Sequence, residues 1–475
     1  MGDNFVFDFI RVLQWPVTLF GLDRPISGMV PVKRIVATQT RFPPFTFKMK
    51  QTKFFSFLLS LTLFTTGSVS HAQNLSPDER KIIEYIDSHN SEAISLLERV
   101  VNVESPTEDL VGVRNVGMIF GDEFKALGMT VKWLEMPSEM KRAGHMVAET
   151  RGKSGKRILL LGHLDTVLRG EKFRRDGDRV YGTGIGDMKG GNVIILQALR
   201  ALNASNLLKD TQIMVMLTGD EENSGHPVEI SRGAMVEAAK RSDAVLSFEG
   251  AVRNTATVGR RGGSSWKLEI EAKTGHSSQI FKESMGDGAI FEASRILNEF
   301  REKLGHEKYL TFNPSLFVGG TTASSNGPEG SATGKTNVVP AKVVVHGDLR
   351  FISEEQKESA RAKMREIVSK NLPGTSARIT FVDGIPAMTP VDGNYTLLKQ
   401  LDGVSQDLGF GTVEALDPGD RGAGDIAFVS GIVPGLDGLG IGGGENSHAK
   451  GELANAATLP LLTKRAAIMI YRLTR

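Results

Sequence analysis

The chain contains no cysteine, so any metal ligand or proton-transfer group in it must come from His, Asp, Glu or hydroxyl side chains, and thiolate chemistry is excluded. Acidic and imidazole residues recur directly after short apolar runs. Arg157-Ile158-Leu159-Leu160-Leu161 leads into Gly162-His163-Leu164-Asp165, and Ile213-Met214-Val215-Met216-Leu217 leads into Thr218-Gly219-Asp220-Glu221-Glu222. Ala244-Val245-Leu246-Ser247-Phe248 is followed by Glu249. Asp187 stands in the glycine-rich segment YGTGIGDMKGGN, residues 181–192, and His448 lies late in the chain. Each has an ordinary reading when taken alone: His163 as a hydrogen-bonded structural histidine, Glu221-Glu222 as a solvated pair, Asp187 as a helix cap. Brought together, they would set uncompensated like charges side by side, a costly arrangement unless cations lie between them. The set points to a metal site.

The glycines of 181–192 could instead cradle a phosphate. A Walker loop needs Gly-Lys-Ser/Thr, but Lys189 is followed by Gly190-Gly191. A dinucleotide fingerprint directly follows an apolar strand, whereas the charged stretch Arg174 to Arg179 precedes this segment. The glycines are better read as letting the backbone turn tightly and present Asp187.

The elements that must position these residues can be read from the periodicity. Ser76-Pro77-Asp78-Glu79 has an N-cap serine, proline at the first helical position and glutamate three residues on, with Ile82, Ile83 and Ile86 at helical spacing. Near-continuous apolar strands separated by helical stretches such as 191–202 and 233–240 imply a buried, mostly parallel sheet. In such a sheet the C-terminal strand ends share one edge, where ligands bind. From about 264 the pattern alternates, as in Trp266-Lys267-Leu268-Glu269-Ile270-Glu271 and 343–349, with helices near 286–304 and 353–371. This predicts a smaller antiparallel sheet covered by two helices. A Gly, Ser and Thr-rich stretch, 319–335, is expected to be a loop. After about 384 the first pattern returns, so the second domain is expected to be inserted into the first.

The N-terminus reads differently. Lys50 and Lys53, an apolar run from Phe54 to Phe64 and small residues ending at Ala72 have the form of a secretory signal, 49–72, too short in its core to be a membrane anchor. This predicts a periplasmic or secreted protein with no stable membrane insertion after cleavage. Residues 1–48 lie upstream of that signal and are read as an extension from a start codon placed too early. From Gln73 onward 49 basic residues face 52 acidic ones, and no basic block interleaved with aromatics suggests nucleic acid as a partner.

The segments GHLDTV (162–167), YGTGIGDMKGGN (181–192), TGDEENSG (218–225), LSFEG (246–250), TGHSSQ (274–279), TNVVPA (336–341), GDLRF (347–351) and ENSHAKGE (445–452) resemble, in order, the motifs of the M20 family of zinc peptidases. Within that family they are most similar to the glutamate carboxypeptidase subgroup. The resemblance spans about 76–475. It implies an α/β fold: a mostly parallel-sheet catalytic domain, 73–262 and 384–475, with an inserted smaller α+β lid and dimerisation domain, 263–383. It also implies a homodimer and a small peptide or N-acyl amino acid as substrate.

For the site, the resemblance implies two zinc ions, other divalent metals being alternatives. His163 and Glu249 would bind one, Glu222 and His448 the other, and Asp187 would bridge them. Asp165 would orient His163, Glu221 would be the general base, and the Asp187-Met188 peptide bond would be cis. His276 would stabilise the oxyanion in the neighbouring subunit's site, while Asn337 and Arg350 would hold the substrate's C-terminal carboxylate. Such a site suits release of a C-terminal amino acid, glutamate in that subgroup. The sequence departs from that subgroup at Ile385, where glutamate-releasing relatives usually carry arginine, at Ala423, where glycine is common, and in the stretch HPVEISRG (226–233). Arg421, Arg260 and Arg261 are candidates to replace the missing arginine. The alternatives are an aminoacylase, deacylase or dipeptidase with the same metal chemistry, and a peptide binder without activity.

Overall fold

The computed structural model describes residues 74–475. The expected signal segment, 49–72, and the extension 1–48 lie outside the described residues. Helix α1 (Pro77–Ser88) starts at the expected cap: the Ser76 hydroxyl accepts from the Glu79 N–H at 3.2 Å, and Glu79 Oε2 accepts from the Ser76 N–H at 2.6 Å. Then come α2 (Asn90–Val101), α3 (Leu110–Ala126), β1 (Thr130–Leu134), β2 (His145–Glu149), β3 (Ser154–His163), β4 (Arg174–Asp176) and β5 (Arg179–Tyr181). Helix α4 (Gly190–Ala204) follows the glycine-rich segment and packs against α1 and α2. It is buried on almost every side, as expected for a helix that is apolar all round. Gly191 permits that burial, because a Cβ there would lie 1.9 Å from the Phe248 carbonyl oxygen. β6 (Thr211–Thr218), α5 (Val228–Lys240), β7 (Ala244–Ser247) and the short β8 (Thr255–Ala256) complete this part.

The segment with alternating pattern forms β9 (Gly262–Ala272), α6 (Ala289–Leu304), β10 (Thr311–Gly320), β11 (Thr322–Asn326), β12 (Glu329–Thr333), β13 (Lys342–Phe351), α7 (Glu354–Val368) and β14 (Thr375–Asp383). β10, β13, β9 and β14 make an antiparallel four-stranded sheet in that order. Alternate β9 residues Trp266, Leu268 and Ile270 join Ile296 and Phe300 of α6 and Met364 of α7 in a core separate from that of the larger sheet. The stretch 319–335 is not the loop its composition suggested. It holds the end of β10 and a β11–β12 hairpin, with Thr322 opposite Thr333 and Ser324 opposite Ser331. Their side-chain oxygens pair at 2.7 and 3.1 Å, and Gly327 takes the turn at φ 59°. Small hydroxyl residues satisfy one another across the strands, so a composition that usually marks a loop supports a hairpin here.

The chain then returns to the larger unit with α8 (Asp392–Asp407), β15 (Glu414–Ala415), β16 (Gly435–Leu436), β17 (Leu453–Asn455) and α9 (Thr458–Leu473). The main sheet has the order β1-β2-β6-β3-β7-β16. The pairs β6–β3, β3–β7 and β7–β16 are parallel, while β1 and β2 form an antiparallel margin. Ile158 and Leu160 of β3 face the core shared with α4 and α9, and Leu159 and Leu161 face the opposite core, shared with Met235 of α5. Burial on both faces explains the unbroken apolar run of β3. The same parallel run carries β3, β6 and β7 to one edge, where His163, Glu221, Glu222 and Glu249 emerge. Among the described residues no helix is long and apolar enough to cross a membrane.

Leu160 is fully buried in the central strand. Leu160→Ala should lower unfolding free energy by about 2–5 kcal/mol, read as a fall in the denaturant midpoint without loss of the folded far-ultraviolet spectrum.

Candidate metal centre

His163 is the last residue of β3 and is 1% exposed. Glu221 and Glu222 lie in the turn just past β6, and Glu249 lies two residues past β7. Asp187 comes from the turn between β5 and α4, where the Asp187-Met188 bond is cis, as the resemblance implied. His448 comes from the loop before β17. These distant segments meet. His163 Nε2 lies 3.1 Å from Asp187 Oδ1 and 3.7 Å from Glu249 Oε1. His448 Nε2 lies 3.1 Å from Asp187 Oδ2 and 3.1 Å from Glu222 Oε2. Asp187 thus turns one oxygen to each histidine. Ligand atoms of His163, Asp187 and Glu249 lie within 4.8 Å of one another, as do those of Asp187, Glu222 and His448. These two groups share Asp187, and a third set within the same span joins His163, Glu221 and Glu222.

Backbone and buried side chains hold the members in place. His163 Nδ1 donates to the Asp165 carbonyl oxygen at 3.0 Å and lies 3.4 Å from Asp165 Oδ1, which leaves Nε2 facing the cluster. The Asp165 carboxylate accepts from the N–H groups of Glu221 and Glu222, both at 3.1 Å, and from the Thr107 hydroxyl at 2.7 Å. Asp165 therefore fixes both, the histidine through its carbonyl oxygen and the Glu221-Glu222 turn through its carboxylate. Asn192 Nδ2 donates to the His163 carbonyl oxygen at 2.6 Å. Behind the turn, Arg232 bridges Asp220 at 2.6 Å and Asp425 at 2.7 Å, and Asp425 also accepts from the Thr218 hydroxyl at 2.6 Å. Glu452 accepts from the N–H groups of Gly184, Gly186 and Asp187. Sequence reasoning assigned no role to Thr107, Asn192, Asp220, Arg232, Asp425 or Glu452. Asn192, Asp220 and Glu452 lie inside the family-like motifs and Arg232 inside the divergent stretch 226–233, but nothing in local spacing marks their partners.

Burial and close neighbours shift the proton affinities of the cluster. Burial opposes a charged imidazole at His163, yet hydrogen bonds to Asp165 and Asp187 outweigh it and raise its proton affinity well above the ordinary value. Hydrogen bonds to Asp187 and Glu222 push His448 up to about 10. Burial would raise Asp187, but hydrogen bonds from both histidines hold it far below the usual carboxylate range. Burial, reinforced by Asp187, pushes Glu249 up to about 8. Burial also holds Glu221 well above the carboxylate range, with Glu249, Asp425 and Glu222 adding repulsion. Such a cluster of oxygen and imidazole donors without thiolates fits divalent cations, which would take the place of the protons.

The structure does not bring His276, Asn337 and Arg350 into this cluster. His276 and Asn337 are neighbours, Ser277 N–H donating to the Asn337 carbonyl oxygen at 2.9 Å, and both are exposed. Arg350 has a 41% exposed side chain and pairs with Asp348 at 2.9 Å. In β13, Lys342 pairs with Glu271 and Arg350 with Gly263, which puts Arg350 on the order of 25 Å along the strand from the end next to Asn337. Within one chain Asn337 and Arg350 therefore cannot grip one carboxylate. The candidates to replace the missing arginine are already engaged. Buried Arg260 pairs with Asp437 at 2.5 Å and donates to the carbonyls of Gly422 and Ala423. Arg421 donates to the Gly250 carbonyl at 2.8 Å, and Arg261 to that of Gly419 at 3.3 Å. Ile385 lines a cavity of about 560 Å³ with Phe351, Val382 and Phe428.

A mixed α/β chain with paired imidazole and carboxylate groups at the carboxyl edge of its sheet has the architecture of a metal-dependent amide hydrolase. Residues 159–472 match the model of Peptidase family M20/M25/M40, and the chain belongs to that family. It is 29% identical over 395 residues to carboxypeptidase G2 of Pseudomonas sp. (strain RS-16), across 80% of this chain and 89% of that protein. It is 26% identical over 321 residues to succinyl-diaminopimelate desuccinylase of Hydrogenovibrio crunogenus (strain DSM 25203 / XCL-2), across 64% of this chain and 79% of that protein. The crystal structure of aminopeptidase PepT from Bacillus cereus ATCC 10987 shares the fold, with a TM-score of 0.66 at 18% identity over 81% of this chain and 99% of that one.

Without metal, Glu249 at about 8 and His448 at about 10 bind protons more tightly folded than unfolded. Their stabilising effect is full at low pH and is lost as pH rises through those values. Metal-free protein should therefore melt at lower temperature at pH 9 than at pH 7. The gain in melting temperature on adding a divalent metal should grow over the same interval, with protons released on binding, as calorimetry in buffers of different ionisation enthalpy would record.

Proposed function

We propose that this chain is a periplasmic or secreted dizinc exopeptidase that releases a C-terminal amino acid from small peptides or N-acyl amino acids. The observation that carries the reading is the pair of ligand groups sharing Asp187 in a member of this peptidase family. His163 and Glu249 would hold one ion and Glu222 and His448 the other, with Asp187 available to both. The chemistry such ions would supply is polarisation of the scissile carbonyl and a more acidic water. Glu221 takes the proton of the attacking water and delivers it to the leaving amine, a role suited to a carboxyl group with raised proton affinity. Asp165 keeps His163 aimed at the site and ties down the turn that carries Glu221.

The proposal includes a homodimer. Strand β10 is a margin of the four-stranded sheet, with no strand paired to its outer side among the described residues. Beside it Phe281, Phe291 and Phe317 are exposed, the rings of Phe281 and Phe291 lying 5.5 Å apart. A second copy meeting this face would bury them and satisfy the strand edge. In that dimer His276 and Asn337 serve the neighbouring subunit's site, His276 stabilising the oxyanion. Asn337 from one subunit and Arg350 from the other hold the substrate carboxylate. The distance between these two residues in one chain supports the shared arrangement.

Ile385 favours a second reading with the same chemistry. Ile385 stands where glutamate-releasing relatives usually carry arginine and offers no hydrogen-bond donor to a glutamate side chain, so an aminoacylase, deacylase or dipeptidase preference competes with glutamate release. The desuccinylase relative supports the same alternative.

Incubation with zinc and folyl-glutamate, Gly-Glu-type dipeptides or N-acetyl amino acids should give hydrolysis that a chelator abolishes; release that persists after complete metal removal would sink the proposal. Glu221→Ala should reduce kcat by about 10²–10⁴-fold with metal content unchanged. Phe291→Asp should shift the sedimenting species from dimer to monomer and reduce activity with it.

A further inference from the structure

The turn at 182–187 has the backbone of an anion receptor, although its sequence context excludes a nucleotide loop. Gly182 and Gly184 lie at φ 143° and 76°, a region open to glycine, and the amide N–H groups that follow converge on one point. A concave run of such groups is a nest for anions. The anion in it is the chain's own Glu452. Glu452 Oε2 accepts from Gly184 N–H at 2.7 Å, and Oε1 accepts from Gly186 N–H at 2.9 Å and Asp187 N–H at 3.2 Å. Glu452 is 4% exposed. Its carbonyl oxygen accepts from Gly182 N–H at 3.1 Å, and Leu453 pairs with Tyr181 where β17 joins β5.

This attachment lies between two elements of the metal centre. Glu452 follows His448 by four residues, and the last N–H in its grip belongs to Asp187. The same two residues face each other at 3.1 Å through His448 Nε2 and Asp187 Oδ2. We propose that Glu452 is a positioning residue, which fixes the His448 loop against the Asp187 turn and so sets the affinity for the ion that Asp187, His448 and Glu222 share. The inference rests on the metal reading of the site.

The chemistry of the side chain makes this specific. A carboxylate can accept from all three N–H groups at once. An amide keeps one accepting oxygen and presents its NH2 to the other side, donor against donor. Aspartate keeps the charge but falls one methylene short. His163 depends on other contacts, those with Asp165 and Asn192, and Glu249 on β7, so the His163 and Glu249 group should feel the change less.

Zinc stoichiometry and affinity, measured by competition with a chromogenic chelator on the folded protein, test this. The comparison takes the unsubstituted protein, Glu452→Gln, Glu452→Asp and the control Glu79→Gln. Glu79 is also a buried carboxylate, holding Arg472 and the α1 cap, and it makes no contact with the centre. The unsubstituted protein should bind two zinc ions. Both Glu452 variants should bind one of them about 10–100-fold more weakly, with kcat lower, KM little changed and activity restored by excess zinc. Glu79→Gln should lower the melting temperature and leave both affinities alone. Unchanged zinc affinity in the Glu452 variants overturns the proposal, as does an equal loss of affinity in Glu79→Gln. A failure of the unsubstituted protein to bind zinc overturns the metal reading itself.

Discussion

Repulsion between buried carboxylates is the constraint around which this structure is built. Asp187, Glu221, Glu222 and Glu249 crowd one edge of the sheet, where burial raises the free energy of every negative charge. Two imidazoles offset part of that, and each is drawn toward the proton-bound form by the acids around it. A fold without a use for this arrangement would gain stability by replacing it with apolar residues. Its persistence makes sense as a receptor for cations.

Holding such a set together demands rigid supports, and the supports are largely backbone. The parallel strands β3, β6 and β7 carry their ends to one edge by hydrogen bonds independent of side-chain identity. Between the strand ends, buried acids grip loop amides: Asp165 holds the N–H groups of Glu221 and Glu222, and Glu452 holds the turn before Asp187. Arg232 braces the Glu221 turn from behind through Asp220 and Asp425. Each of these polar groups is satisfied by neighbours inside the protein, so the surroundings of the cluster are well determined while the cluster itself is poised for an ion.

The inserted domain follows different physics. Its four-stranded sheet and two helices enclose their own core, so its fold does not depend on the site. Its candidate substrate residues lie at opposite ends of β13, and a sheet of this length cannot bend to bring them together. Arginines beside the site meet carbonyl and carboxylate needs within the fold, so Arg260 and Arg421 have few donors left for another anion.

Much of the site was legible from the sequence because its signals are local. Apolar runs ending in acids mark strands buried on both faces and place the acids at one edge, and Ser76 with Glu79 marks the first helix through contacts three residues apart. The hairpin at 322–333 was missed, because small hydroxyl residues carry no apolar alternation even when they pair across strands. The sequence by itself determined which residue types could bind a cation and which elements would carry them, since helical and strand periodicities act over a few residues. Only the tertiary structure decided that Glu452 fills the glycine nest and that Arg260 is consumed by Asp437. Those facts depend on distances between segments separated by tens to hundreds of residues, which packing alone sets.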